Sequence, residues 1–219
     1  MRCPLCGFRT IRGPDDRPWA EDRGAVYARC SRCSYIYRDR SRLLSPEEEK
    51  ARYLRHRNDP EDPGYRSYLE DFIRKAVLPF VPPGGRILDF GSGPVPALSI
   101  LLAEQGFSVR AYDPYFAPAP PDRERPFDLI VLHEVAEHLA RPYLEFVDLV
   151  RILKPGGRIA VRTRFAPEDP EDFRTWWYRQ DPTHVGFFGS RTFAVLAGRL
   201  GMSVELEDGS DTLVLRSLW

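Results

Sequence analysis

Four cysteines, four histidines and one glycine turn carry most of the chemistry open to this 219-residue chain. Cys3 and Cys6 stand in CPLC, and Cys30 and Cys33 in CSRC, with 23 residues between the two pairs. Two residues between cysteines let both thiolates turn toward one ion, so two such knuckles make a four-thiolate tetrahedral zinc site. Gly7 follows the first knuckle, where a left-handed backbone turns amides toward the sulfurs. With no protein ligand missing, the zinc would be structural. A ribbon of about 40 residues builds little core of its own and depends on its metal. Disulfides would suit a secreted chain, and MRCPLCGF lacks the basic-then-apolar layout of a secretory signal. The expectation is a cytoplasmic protein with no membrane partner, since no apolar run approaches the ~18 residues of a spanning helix.

The second stretch is LDFGSGPVP, residues 88–96, where an apolar strand ends in two alternating glycines. A dinucleotide fingerprint needs a third glycine where Pro96 stands, and a phosphate-binding Walker loop needs a lysine that is absent. The third is HEVAEH, residues 133–138. A zinc-protease H-E-x-x-H would place histidine at 137, where the residue is Glu137. The last is DPTH, with His184 close in sequence to Tyr178 and Trp177.

These stretches must be held by elements, and the hydropathy pattern supplies them. Helices are predicted over 41–57, opened by Ser45-Pro46, and over 65–81. After Pro82-Pro83-Gly84-Gly85 the pattern alternates: strand 86–90, helix 96–106, strand 108–113, strand 127–133, helix 142–157, strand 158–163, helix 190–201 and two closing strands. Strands alternating with helices predict an α/β, Rossmann-like, doubly wound and mostly parallel sheet. The division read from this is a zinc ribbon at 1–40, a helical linker or lid at 41–81 and a catalytic domain at 82–219. His56 and Tyr65 fall in the lid, where they face the substrate or sit on solvated helices.

Formal charge is zero but unevenly spread: residues 1–57 hold 13 Arg and one Lys against 8 acidic residues, a net +6. A basic ribbon with Trp19, Tyr27, Tyr35 and Tyr37 suits a phosphate-rich partner such as RNA. The same aromatics equally serve as the ribbon's own packing.

In order and spacing, residues 86–201 resemble the class I S-adenosylmethionine-dependent methyltransferases, of the bacterial type 11/23-like kind. Asp89, Gly91 and Gly93 match the first motif, D-x-G-x-G. AYDP places Asp113 and Pro114 at the end of the second strand, where the resemblance implies an acid on the cofactor's ribose. FDLIVLHEVAEHL (127–139) resembles the fourth-strand segment, LKPGGRIAVRT (153–163) the turn into the fifth, and residues 176–202 a tail common in bacterial members. The resemblance implies Asp89, Gly91, Ser92, Gly93, Asp113, Pro114, His133 and Glu134 as cofactor contacts. Two departures stand out. Val95 replaces a third glycine, and the 13 residues between Asp113 and Phe127 leave the family's third strand shortened or missing. Tyr115 or Phe116 would then wall the adenine.

Methyl transfer from a sulfonium is an alignment problem, helped by a general base when the acceptor carries a proton. His184 and His138 are the candidate catalytic histidines, with Glu134 placed four residues before His138 to orient it; either histidine could instead be a packing residue, and Tyr178 would line the acceptor pocket. Three functions follow: methylation of a small or carrier-bound metabolite, methylation of RNA gripped by the ribbon, or binding of the cofactor without transfer.

Overall fold

The structure is a computed structural model that describes residues 2–8, 19–22, 24–39, 43–55 and 58–219. Three short strands come first, β1 (Ala20–Asp22), β2 (Ala25–Arg29) and β3 (Ile36–Arg38), paired as an antiparallel meander. One cysteine knuckle precedes this meander and the other forms the connection between β2 and β3, and the two share one geometry. Gly7 donates to Cys3 O and Ser34 donates to Cys30 O, and both residues adopt positive φ, 72° and 60°.

Helix α1 (Pro46–Tyr53) begins where the sequence predicts, because Ser45 and Glu48 close a reciprocal capping box. Helix α2 (Pro63–Ala76) is capped by Asp62 and buries Leu69, Phe72, Ile73 and Ala76, the i, i+3, i+4, i+7 face. It stops short of residue 81 because Pro79 cannot supply an amide to the helix and would clash with the preceding turn. Strand β4 (Arg86–Phe90), helix α3 (Ala97–Glu104), strand β5 (Ser108–Tyr112) and strand β6 (Phe127–His133) follow. Helix α4 (Pro142–Val150) is also shorter than predicted. Lys154-Pro155-Gly156-Gly157 belongs to strand β7 (Leu153–Arg162), whose register with β6 shifts between Phe127 and Leu129. Helix α5 (Pro170–Thr175), strand β8 (Gly186–Phe187), helix α6 (Ser190–Leu200) and strands β9 (Met202–Glu207) and β10 (Thr212–Ser217) complete the chain.

The main sheet has the order β5-β4-β6-β7-β10-β9. Its first four strands are parallel, and β10 enters antiparallel between β7 and β9. The expected third strand is absent: between Asp113 and Phe127 the pairing is one isolated bridge, Asp113 to Ala117. Alternate strand residues face two cores. Ile87, Leu129 and Val131 pack under α2 and α3, while Leu88, Ile130 and Leu132 pack under α4 and α6.

The ribbon is not an independent appendage. β8, from the tail of the chain, pairs with β3 to make its meander four-stranded. The four cysteines share a core with Phe188, Phe193 and Leu196 of the tail, and Thr192 Oγ1 donates to Cys33 O at 2.9 Å. Among the described residues no helix is long and apolar enough to cross a membrane.

Candidate functional site

A cavity of about 810 Å³ opens beyond the carboxyl ends of β4, β5 and β6, the place where doubly wound sheets bind ligands. One end is made by the glycine turn. Gly91 sits at φ 81°, and a Cβ there would lie 2.6 Å from Val135 Cγ2, so only glycine fits. The turn is fastened to β5: Gly91 N and Ser92 N donate to Tyr112 O at 2.8 and 3.1 Å, and Gly93 N to Asp113 Oδ2 at 3.0 Å. Asp113 Oδ1 accepts in addition from the amides of Tyr115 and Phe116. Asp113 therefore folds the turn as well as lining the cavity, and a carboxylate with about four acceptor positions keeps one for a ligand. Asp89 is buried, accepts from Ser99 Oγ at 2.7 Å, and has its pKa pushed up to about 6 by burial.

Pro96 is the residue before α3 and Pro94 lies in the turn, so neither costs the helix an amide partner. Val95 lines the cavity but is 41% exposed, at its mouth. Tyr115 and Phe116 also line it. Tyr115 Oη donates to Glu49 at 2.7 Å and Arg52 pairs with Asp181 at 2.7 Å, so α1 is pinned across the cavity from both sides. Tyr65 lines the cavity, its hydroxyl pushed up to about 12 by burial. His56 lies outside the described residues.

The other end is built from side chains that arrive from distant segments. Glu134 follows β6 at φ 55°, a conformation rarely taken by a residue with a side chain. Its two carboxylate oxygens accept from Tyr68 Oη of α2 at 2.8 Å and Tyr178 Oη at 2.9 Å. Burial and the nearby Glu137 carboxylate push Glu134 up to about 7. Tyr178 Oη also bonds Glu137, which is wholly enclosed. His133 stacks edge-on against Tyr68 and Phe72, and burial followed by the Arg162 charge pushes it down to about 3. Arg162 is itself held by Asp71 and Asp211 at 2.8 and 3.2 Å.

A methyltransferase-domain family matches residues 65–207, about two thirds of the chain and the whole of this cavity's main frame. The chain belongs to that methyltransferase family. Its fold is shared with a chain from the complex between the Haloferax volcanii Trm112 methyltransferase activator and a candidate methyltransferase, at 15% identity and TM-score 0.57, over 78% of this chain and 97% of that one. A protein of Pyrococcus horikoshii is similar in the same way, at 15% identity and TM-score 0.56, over 77% and 98%. No curated protein matches the chain in sequence.

Within this methyltransferase the sequence-predicted residues Asp89, Gly91, Ser92, Gly93, Asp113, Pro114, His133 and Glu134 all line one cavity, together with Tyr65, His138, Tyr178 and His184. The predicted pairing of Glu134 with His138 is replaced. Residues 136–138 form a single 3₁₀ turn, not an α-helix, and His138 Nδ1 instead lies 3.1 Å from Thr183 O. His184 Nδ1 lies 2.6 Å from Tyr178 O, and the two imidazoles meet edge to face with centroids 4.7 Å apart. Burial and then the neighbouring His138 push His184 down to about 4. Sequence reasoning missed Tyr68, Glu137 and Asp181. Tyr68 sits among ordinary amphipathic positions, and Glu137 registered only as the residue that spoils a protease motif.

At the ribbon, Cys3 and Cys33 Sγ are 3.7 Å apart, Cys6 and Cys30 Sγ 3.5 Å, and all four sulfurs lie within 4.8 Å of one another. Zn–S bonds of about 2.3 Å in a tetrahedron put sulfurs about 3.8 Å apart, so the buried thiols fit such an ion. None is in a disulfide.

Proposed function

We propose that this chain transfers the methyl group of S-adenosylmethionine to a small or carrier-bound acceptor, releasing S-adenosylhomocysteine. The observation that carries this is the continuity of the cavity, which runs from the glycine turn to the Glu134–Tyr178–His184 wall. Its volume lies toward the upper part of the range of about 300–1,000 Å³ typical of ligand sites, which suits a cofactor with an acceptor beside it. Asp113 would take the ribose hydroxyls on its remaining acceptor position, and Tyr115 and Phe116 would wall the adenine that a third strand normally covers. The cofactor supplies an activated methyl on a positively charged sulfur. The chain's own part is to align an acceptor with it, exclude water with α1 pinned across the cavity, and accept a proton at Glu134 or at a histidine Nε2.

Among the described charged residues that line the cavity, Glu49, Asp89, Asp113, Glu134, Glu145 and Asp181 face one arginine, Arg52. A lining of that sign suits a sulfonium and a neutral or cationic acceptor, and disfavours a phosphate-rich one. Cys3, Cys6, Cys30 and Cys33 would hold zinc as a structural ion, its contribution being to fold residues 1–40 against the tail.

Calorimetry with S-adenosylmethionine is the direct test. Saturable binding is expected, weakened at least tenfold in Asp113→Asn, and no heat at millimolar cofactor would remove the function. Retention of RNA that weakens steeply with salt would redirect the acceptor assignment to nucleic acid.

A further inference from the structure

Glu137 is completely buried, yet its Oε2 has no hydrogen-bond partner among the described residues. Buried carboxylate oxygens are almost always satisfied, so this one calls for a partner. Around it the groups are arranged for a cation. His138 and His184 each direct Nδ1 at a backbone carbonyl, of Thr183 and of Tyr178. A carbonyl only accepts, so Nδ1 carries the proton in both rings, and in the neutral imidazole Nε2 then carries the lone pair. That outer-shell pattern fixes the tautomer of metal-binding histidines. His138 Nε2 lies 3.9 Å from Glu137 Oε1, and one donor atom from each of the three residues falls within 4.8 Å of the other two.

We propose that Glu137, His138 and His184 form a site for a divalent first-row metal ion, with Glu134 as the adjoining carboxylate. Two imidazoles and a carboxylate suit ions from Mn²⁺ to Zn²⁺ and leave coordination positions open to a ligand in the cavity. Bonds of about 2.0–2.2 Å ask the donors to close to roughly 3–3.5 Å, a movement of about 1 Å by side chains alone. Glu134 shares the Tyr178 hydroxyl with Glu137, so two buried carboxylates converge where a cation would offset their repulsion.

The site names an acceptor class. A hydroxyl oxygen entering an open position has its pKa lowered. Its proton passes to Glu134, the O–C bond forms as the C–S bond of the donor breaks, and sulfur keeps the bonding pair. That use of the ion rests on the methyl-transfer function above; binding of the ion does not.

Manganese(II) titrated into the full-length, zinc-loaded chain tests the site, because hard Mn²⁺ does not displace zinc from thiolates. Paramagnetic resonance of the free ion is expected to show one Mn²⁺ bound per chain. His184→Gln and Glu137→Gln should each weaken it at least tenfold, the lower end of what outer-shell changes alone cost. Pulsed resonance of the unsubstituted chain should show nitrogen coupling from imidazole, a readout that no misfolded variant can disturb. No binding at about 1 mM, or binding without nitrogen coupling, overturns the site. Cofactor calorimetry on the same samples separates the two failures: a chain that binds cofactor but not Mn²⁺ loses the metal site and keeps its methyltransferase function.

Discussion

The two ends of the cavity are built by different means. The end proposed for the cofactor is a run of neighbouring backbone, residues 89–96, fastened by its own amides to 112–116, with Asp89 held by Ser99 of the helix that follows. The end proposed for the acceptor is assembled from side chains of α2, the segment after β6, and the segment between α5 and α6. That last segment is braced by the ribbon: Arg38 N donates to Val185 O at 2.9 Å, Arg38 Nη1 to Pro182 O at 2.9 Å, and β3 pairs with β8. One end depends on local geometry, the other on a four-cysteine module about 150 residues away in sequence. The two should therefore fail separately.

The largest expected effect comes from removing a ribbon thiolate. Structural zinc sites contribute about 10–16 kcal/mol of apparent folding free energy at neutral pH, so Cys33→Ser should unfold β1–β3. Hydrogen exchange at residues 177–188 should then accelerate by at least tenfold, while cofactor affinity on the same sample stays within about threefold. Equal loss at both ends would show that they form one cooperative unit.

Gly91→Ala should produce the opposite pattern. A Cβ at 2.6 Å from Val135 Cγ2, on a residue at φ 81°, combines overpacking with a left-handed backbone. The two together cost about 2–5 kcal/mol, and cofactor affinity should fall at least tenfold while hydrogen exchange in β1–β3 is unchanged. Gly84→Ala is the matched control. It shares the positive φ but meets nothing within 4 Å, so only the backbone cost of about 1–2 kcal/mol applies. Thermal melts of both variants check the difference.

The same contrast explains what could be read from the sequence. Asp89, Gly91, Gly93 and Asp113 were legible because spacing along the chain is also spacing in the turn. The missing third strand was legible because 13 residues cannot hold a strand and its crossover helix. Pro79 ended α2 early, a local rule that outweighs apolar periodicity, and α4 ended early because the residues from Leu153 onward belong to β7, which pairs with β6. The Glu134–His138 pair failed because HEVAEH was taken as a helix, whereas the chain leaves β6 through a left-handed Glu134 into one tight turn. Tyr68 and the ribbon's brace on His184 involve partners 66 and about 150 residues away, and no local pattern encodes such contacts.

Glu134→Gln sharpens the acceptor end by its pH dependence. The folded pKa of about 7 lies above the ordinary value of 4.5, so the group's contribution to stability is fully present below 4.5 and lost as pH rises through 7. The wild type should therefore give up about 2–3 kcal/mol between pH 5 and pH 8 that the amide variant keeps. Denaturant titrations at the two pH values measure it; a variant no more stable than the wild type at pH 8 would mean that the carboxylate's charge is offset by a bound partner.

The smallest effect is expected at the cofactor end, from Ser99→Ala. Burial, with a smaller contribution from the Asp113 charge, raises Asp89, and the Ser99 hydroxyl opposes that rise by donating to the ionised carboxylate. Deleting the hydroxyl moves the folded pKa further above 6. In the wild type the stability lost through Asp89 ionisation accumulates between its unfolded value of 3.8 and about 6, and is constant at higher pH. In the variant the loss continues to higher pH, so the two proteins should melt nearly together at pH 5 and separate above pH 6. The difference should reach about 1 kcal/mol at pH 8, the usual worth of one such hydrogen bond. Cofactor affinity should change by no more than a few-fold, because the turn itself is held by the Tyr112 carbonyl and Asp113. A separation already complete at pH 5 would instead assign the hydroxyl to packing of α3, independent of the carboxylate's charge.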